Sequence, residues 1–265
     1  MDEPSKRLAL RRGIYLLPNL LTTAALFAGF YAVVAAIDGH FERAAIAIFV
    51  AMAFDGLDGR VARMTHTESA FGKEYDSLSD MVSFGLAPAI VAYQWGVARI
   101  AETVAEAGKH GFLWSRLGWL ATFFFAAATA LRLARFNSRS ATQDKRYFEG
   151  LPCPSGAALL ASFIWLSDEN ELHAVIGLIP AFAVSVVAGV LMVSRFSYWS
   201  FKQIDWRSPV SFVYLIAVIL PFVVIPLDPP LMLFVVFGVY ALSGPATWAW
   251  RKGRRRPPRN LPGPS

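Results

Sequence analysis

The chain has 265 residues, of which 55% are hydrophobic, with a mean hydropathy of +0.45 and a net charge of +6. That apolarity excludes an ordinary soluble domain and fits a polytopic membrane protein. The single cysteine, Cys153, excludes an internal disulfide framework, and no Cys/His cluster has zinc-ligand spacing. In so apolar a chain the positive charge points to basic loops beside anionic lipid and not to nucleic acid.

A helix needs about 20 apolar residues to cross the hydrocarbon core of a bilayer. The first candidate span is Leu16–Ile37, preceded by Lys6, Arg7, Arg11 and Arg12. Its apolar run exceeds the roughly 7–15 residues of a signal-peptide core, so it reads as a retained span. Phe41–Phe54 is short, and lengthens if its helix continues into the charged stretch that follows. Leu78–Ile100 and Leu117–Phe136 are full length, and Pro154–Leu166 is again short. Ala174–Val193, Val210–Ile225 and Leu231–Trp250 complete a set of eight.

With the N-terminus in the cytoplasm, every Lys and Arg except Arg43, Arg99, Lys109 and Arg116 falls on the cytoplasmic side. The acidic loop "SDENELH" falls on the other side. This bias predicts eight spans with both termini cytoplasmic. The Pro- and Arg-rich tail "RKGRRRPPRNLPGPS" reads as disordered. Trp95, Trp114, Trp119, Trp199, Trp206, Trp248 and Trp250, near span ends, read as interfacial anchors.

Between the second and third spans lies "FDGLDGRVARMTHTESAFGKEYDSLSD", residues Phe54–Asp80. Asp55 and Asp58 are three apart, and Asp76 and Asp80 four apart, so each pair shares a helix face. If the second helix ends near Asp58 and the third begins near Asp76, an antiparallel hairpin gathers all four carboxylates at the cytoplasmic end of the bundle. Four such groups cannot all stay ionised without compensation. Protonation is one answer. Oxygen-only ligands favour another, a divalent cation such as Mg²⁺, Mn²⁺ or Ca²⁺. Two such cations could clamp a phosphoryl group. Gly59, Ala62 and Gly72 remove bulk beside the carboxylates, and Arg63 could reach a phosphate with its planar fork of donors. A solvated polar loop accounts for any one of these aspartates, but poorly for four beside a membrane, where ionisable groups are costly.

The stretch resembles the signature of the CDP-alcohol phosphotransferases, D-x2-D-G-x2-A-R-x8-G-x3-D-x3-D, with no departure at Asp55, Asp58, Gly59, Ala62, Arg63, Gly72, Asp76 or Asp80. Over about residues 10–200 the chain is most similar to the membrane-embedded phosphatidylserine synthase branch. "LLPNLLTT" resembles that branch's entry to the first helix, and "LRLARFN" and "YFEGLPCPSGA" its downstream elements. The resemblance implies an all-α polytopic membrane bundle, a six-helix core followed here by two C-terminal transmembrane helices. It implies that CDP-diacylglycerol is the donor, seated against Gly59, Ala62 and Arg63. It implies that Asp55, Asp58 and Asp76 hold Mg²⁺ or Mn²⁺ with Asp80 close enough to contribute, and that Asp80 is the general base toward L-serine. Homodimerisation is likewise implied.

Further residues are read beside this pattern. Asn19 and Thr22 suit helix capping or interhelical bonding, and the resemblance tilts them toward the CDP-diacylglycerol site. Ser77 and Ser79 read as caps of the third helix, or as residues that order the metal ligands. Arg132 and Arg135 share a helical face near the cytoplasmic end of the fourth span, where they either snorkel to headgroups or form a second anionic site with Asn137, Arg139 and Lys145. That site would take the acceptor or a lipid phosphate, beside Tyr147, Phe148 and the "GLPCP" turn. The expected organisation is a CDP-alcohol phosphotransferase domain over 1–200, two added helices over 201–250 and a basic tail over 251–265. Two rivals stand: the same chemistry on another acceptor (glycerol 3-phosphate, inositol or its phosphate, choline), and an ion-coupled transporter, which would carry its charges near the bilayer midplane.

Overall fold

A computed structural model describes residues 3–98, 110–139, 147–170, 175–199 and 225–254. The chain is an all-α bundle with one short ribbon. Its elements are α1 (Glu3–Ile37), α2 (Phe41–Thr65), α3 (Ala70–Asp80), a π-helical turn (Met81–Leu86), α4 (Ala87–Tyr93) and a second π-helical turn (Gln94–Ala98). They continue with α5 (His110–Arg139), β1 (Tyr147–Glu149), α6 (Cys153–Glu169), α7 (Val175–Val193), β2 (Ser197–Trp199), a 3₁₀ turn (Ile225–Leu227) and α8 (Pro229–Arg254).

Among the described residues three helical stretches are long and apolar enough to cross a membrane: Leu16–Ile37, Arg116–Ser138 and Pro229–Lys252. The expected spans map onto this order, and the chain is an integral membrane protein. The seventh, Val210–Ile225, lies outside the described residues except for Ile225. Two boundaries differ from expectation. The second helix does not stop near Asp58 but runs to Thr65, and the third starts at Ala70, ahead of Asp76. Both aspartate pairs therefore sit inside helices. Ser69 caps the third helix, its Oγ accepting from Gly72 N at 3.0 Å, so Ser77 and Ser79 are interior residues and not caps.

Small residues let α1 and α2 pack closely. Ala25, Ala28, Ala32, Ala35 and Ala36 on one helix and Ala44, Ala45, Ile48 and Ala51 on the other are buried, which is how helices approach in an apolar solvent that offers no hydrophobic drive. The hairpin between them closes through Gly39 at φ +77°, with His40 N donating to Ala35 O at 2.8 Å and Gly39 N to Ala36 O at 3.1 Å. This is a Schellman ending, for which glycine is the least strained residue. A second one ends α2: Thr67 N reaches Ala62 O at 3.0 Å and His66 takes φ 53°.

From Ala70 to Ala98 the backbone is one helix interrupted by the two π-helical turns. In the first, Ala87 N donates to Val82 O, five residues back. Pro88 follows and has no N–H for Phe84, so the local ladder cannot be a regular α-helix. This turn presses against α1. A Cβ on Gly29 would lie 2.5 Å from Ser83 Oγ and 2.7 Å from Ser83 Cα. Ser79 Oγ donates to Thr22 O at 3.2 Å and Ser83 Oγ to Ala25 O at 3.1 Å. Interhelical side-chain bonds of this kind contribute on average about 0.6 kcal/mol each in a membrane. They fix the register of two helices that packing already holds together.

Helices α5, α6 and α7 pack around this unit, with Phe84, Phe125, Leu160, Ile164 and Met192 fully buried among them. Trp95 belongs to this core at 5% exposure and is not the interfacial anchor expected, whereas Trp119, Trp248 and Trp250 are exposed. Replacing Gly29 by alanine should force α1 away from the π-helical turn at a cost of ~1–3 kcal/mol, typical of overpacking. The check is the thermal midpoint in detergent; a wild-type midpoint would disprove the close crossing.

Candidate active site

Helix α2 carries Asp55, Asp58, Gly59 and Ala62 past the end of its apolar half, and α3 brings Gly72, Asp76 and Asp80 alongside. Carboxylate oxygens of Asp55, Asp76 and Asp80 all lie within 4.8 Å of one another. The Asp80 carboxylate faces the charges of Asp55, Asp76 and Asp58. Asp58 is buried at 5% exposure, and Thr22 Oγ1 donates to its Oδ2 at 2.6 Å. Burial pushes the Asp58 carboxyl above the usual carboxylate range, while the Thr22 hydroxyl and the Gly59 N–H pull it down by bonding the ionised form.

A cavity of about 660 Å³ opens beside these groups, lined by Pro18, Asn19 and Thr22 of α1, Asp58, Gly59 and Ala62 of α2, Gly72, Lys73 and Asp76 of α3, and Phe136 of α5. That volume suits a nucleotide-sized ligand. A Cβ added at Gly59 would meet no protein atom within 4 Å, so the glycine leaves open space facing the cavity. Gly72 keeps the wall close, since a Cβ there would lie 3.4 Å from Asn19 Oδ1 and 3.1 Å from Ser69 Oγ. Of the signature residues, Asp55 and Asp80 belong to the acidic cluster and do not line the cavity, and Arg63 belongs to neither: it is exposed in the last turn of α2.

The residues expected at a second anionic site have three different surroundings. Arg135 donates through Nη2 to Val193 O at 2.7 Å and through Nη1 to Ser194 O at 3.4 Å, closing the carbonyl end of α7. Asn137 Nδ2 donates to Ser77 Oγ at 2.9 Å and ties α5 to α3 next to Asp76. Arg132 Nη1 donates to Cys153 Sγ at 3.3 Å, and its Nε is buried with no hydrogen-bond partner among the described residues. Cys153 in turn lies within electrostatic reach of Asp80. Arg132 is therefore the member of the trio with a buried donor that no described residue satisfies. Lys145 and the side chains of Arg139, Tyr147 and Phe148 lie outside the described residues.

Two contributors, Gly29 and Ser83, were not expected from sequence, and a third, Cys153, was expected only as part of the "GLPCP" turn. Ser83 and the Gly29 crossing set the depth of the Asp76–Asp80 helix, and Cys153 receives Arg132. The i, i+4 pair Ser79 and Ser83 is a signal for the first of these, because both hydroxyls share one helix face.

The family model for CDP-alcohol phosphatidyltransferase matches residues 15–195. The chain belongs to this family. Among curated relatives, a CDP-diacylglycerol–serine O-phosphatidyltransferase of Helicobacter pylori is 35% identical over 237 residues, 89% of this chain and 92% of that one. One from Methanocaldococcus jannaschii is 32% identical over 196 residues, 74% of this chain and 80% of that one. One from Saccharomyces cerevisiae is 36% identical over 148 residues, 51% of this chain and 48% of that one. The family match covers the whole cavity and the acidic cluster, and ends before α8.

Removing the Thr22 hydroxyl takes away a bond that favours ionised Asp58, so its carboxyl should rise further and be less ionised at a given pH. In Thr22→Val the acid limb of the pH–rate profile should move to higher pH. Steady-state rates measured across the acid range check this, and a shift to lower pH would contradict the role of the bond.

Proposed function

We propose that the protein transfers a phosphatidyl group from CDP-diacylglycerol to L-serine, yielding phosphatidylserine and CMP. The observation that carries the proposal is the conjunction of the Asp55–Asp76–Asp80 cluster with the adjoining cavity, in a chain whose relatives are named for this reaction. The cytidine diphosphate occupies the cavity against Gly59 and Ala62, with Asn19 and Thr22 forming the facing wall and Gly72 the side. Arg63, exposed at the rim, meets the diphosphate from outside the cavity.

A divalent cation fits the donor set, which is all carboxylate oxygen at close mutual range. Asp55, Asp58 and Asp76, with Asp80 beside them, would hold Mg²⁺ or Mn²⁺. When bound, the cation neutralises charge developing on the transferred phosphoryl group and the leaving CMP. The residues of the chain do the rest. Thr22 keeps Asp58 oriented. Ser79 and Ser83 hold the Asp76–Asp80 helix in register against α1. Asp80 takes the proton of the serine hydroxyl as its oxygen bonds to the phosphatidyl phosphorus, and the phosphorus–oxygen bond to CMP breaks with its electron pair going to CMP. The Arg132 guanidinium, with a donor to spare near Asp80, receives the serine carboxylate. Arg135 and Asn137 act behind it by fixing α7 and α3.

A lipid substrate accounts for a further feature. An apolar groove of about 800 Å³ runs between α1 and α2 from Leu20 and Phe54 to Tyr31 and Arg43. Thr23 and Leu20 line it, while their neighbours Asn19 and Thr22 on the same helix line the cavity. The groove would take an acyl chain while the headgroup remains in the polar cavity. On this reading the catalytic domain comprises residues 1–200 and 201–250 is an addition, while the basic tail expected from 251 begins after α8, whose helix runs to Arg254. The distribution of basic residues supports a site facing the cytoplasm, in a bacterial inner membrane. A homodimer is the expected assembly.

Purified protein given CDP-diacylglycerol, Mn²⁺ or Mg²⁺ and L-serine should release CMP, and chelation should stop it. Release with glycerol 3-phosphate, inositol or choline but not with serine would move the acceptor assignment. Cation flux in liposomes without CMP release would favour a transporter. Asp80→Asn should lower kcat by about 10²–10⁴-fold, the usual range for a general base, while calorimetry still detects CDP-diacylglycerol binding. A wild-type rate in that variant would remove Asp80 from the role of base.

A further inference from the structure

Helix α8 lies beyond residue 195, where the family match ends, yet three features of the molecule converge on one point of it. Pro245 stands inside the helix. Proline has no N–H, so the carbonyl four residues back, that of Ala241, loses its helical donor. Tyr198 of β2 is wholly buried, and its hydroxyl donates to that same Ala241 carbonyl at 2.9 Å. Between them, Gly244 leaves room for the ring: a Cβ there would lie 2.7 Å from Tyr198 Oη and 2.8 Å from Cε1. The stretch Ala241–Pro245 is thus a notch with a missing donor and a missing side chain, and Tyr198 supplies both. Around it Tyr240 Oη donates to Trp199 O at 3.2 Å, and Phe196 meets Trp248 edge-on at 5.7 Å between centroids.

The constraint passes inward from β2. Tyr198 pairs with Phe148 in the antiparallel ribbon. The next residues of the loop are bonded as well, Gly150 N to Phe196 O at 2.9 Å and Leu151 N to Leu191 O at 3.0 Å. Cys153 then opens α6 and receives Arg132 Nη1. Arg132 is also within electrostatic reach of the Tyr240 hydroxyl. One guanidinium is therefore flanked by α8 on one side and, through Cys153, by Asp80 on the other.

We infer that the Ala241–Pro245 notch of α8, with Tyr198 as its latch, is a positioning device for Arg132 and sets affinity for the acceptor and not for the CDP-lipid. Tyr198 and Gly244 are positioning residues; neither lines the nucleotide cavity. The acceptor part of this inference rests on the function proposed above. The mechanical part does not, because Cys153 is the single cysteine of the chain and is fully buried, so its reactivity reports directly whether the latch holds the Arg132 pocket shut.

The test uses the full chain in detergent or nanodiscs. Gly244→Ala drives the Tyr198 ring out of the notch, and Tyr198→Phe removes the hydroxyl alone. N-ethylmaleimide should label Cys153 about tenfold faster in Gly244→Ala than in wild type, as expected for a modest increase in local opening. CMP release should show the serine KM raised by about tenfold with the CDP-diacylglycerol KM unchanged. In the double variant Tyr198→Phe/Pro245→Ala, the restored N–H at position 245 satisfies Ala241. Its thermal midpoint should return to the wild-type value while the serine KM stays raised.

Unchanged labelling in Gly244→Ala would overturn the latch whatever the substrate. Equal rises in both KM values, or recovery of the serine KM together with the midpoint, would reduce it to ordinary stability. Faster labelling in a protein whose wild type releases no CMP with serine would keep the latch and overturn the acceptor assignment instead.

Discussion

Carboxylates gathered at one end of a helix bundle repel one another, and the structure around Asp55, Asp58, Asp76 and Asp80 is arranged against that repulsion. Two unit charges at 4.8 Å interact by roughly 3 kcal/mol even at an effective dielectric of about 20. An interhelical hydroxyl bond contributes about 0.6 kcal/mol in a membrane, so Thr22, Ser79 and Ser83 cannot hold the cluster together by themselves. What holds it is backbone proximity: the buried alanines between α1 and α2, and the crossing of Gly29 over Ser83. The hydroxyls then choose the register within that packing. The residual charge is left for a cation or protons to balance.

The apolar solvent adds a second constraint, because a backbone group that loses its helical partner finds no water to replace it. Within the described helices Pro18, Pro88, Pro180 and Pro245 create that situation, and at two of them a distinct device answers it. At Pro88 the helix has widened into a π-helical turn just before the proline. At Pro245 the helix keeps its course and a tyrosine from a distant ribbon donates in place of the missing N–H. The first device lies beside the acidic cluster and the second links α8 to Arg132. In both, a local deficiency of the backbone has been turned into a long-range attachment.

The cavity and the acidic cluster are built mainly by α1, α2 and α3, from residues near one another in the chain. The surroundings of Arg132 depend instead on α5, on the loop that leads from the β1–β2 ribbon and on the first turn of α6.

Much of this is legible without coordinates. Hydropathy, the placement of Lys and Arg, and the spacing of Asp55, Asp58, Asp76 and Asp80 determine an all-α membrane bundle with a carboxylate site between its second and third helices, because periodicity and charge at a membrane surface are local properties. Helix ends were less legible: hydropathy marks the apolar zone and not where a polar helix stops or starts, and α2 runs on to Thr65 while α3 begins at Ala70. The shared helical face of Arg132 and Arg135 was legible, but the separate partners of Arg132, Arg135 and Asn137 were not. Three residues within two turns of one helix bond a thiol, two carbonyls and a hydroxyl, on partners 21 to 60 residues away. Which partner each meets is decided by how α3, α6 and α7 pack around α5, and that packing, a property of the whole chain, is what only the tertiary structure supplied.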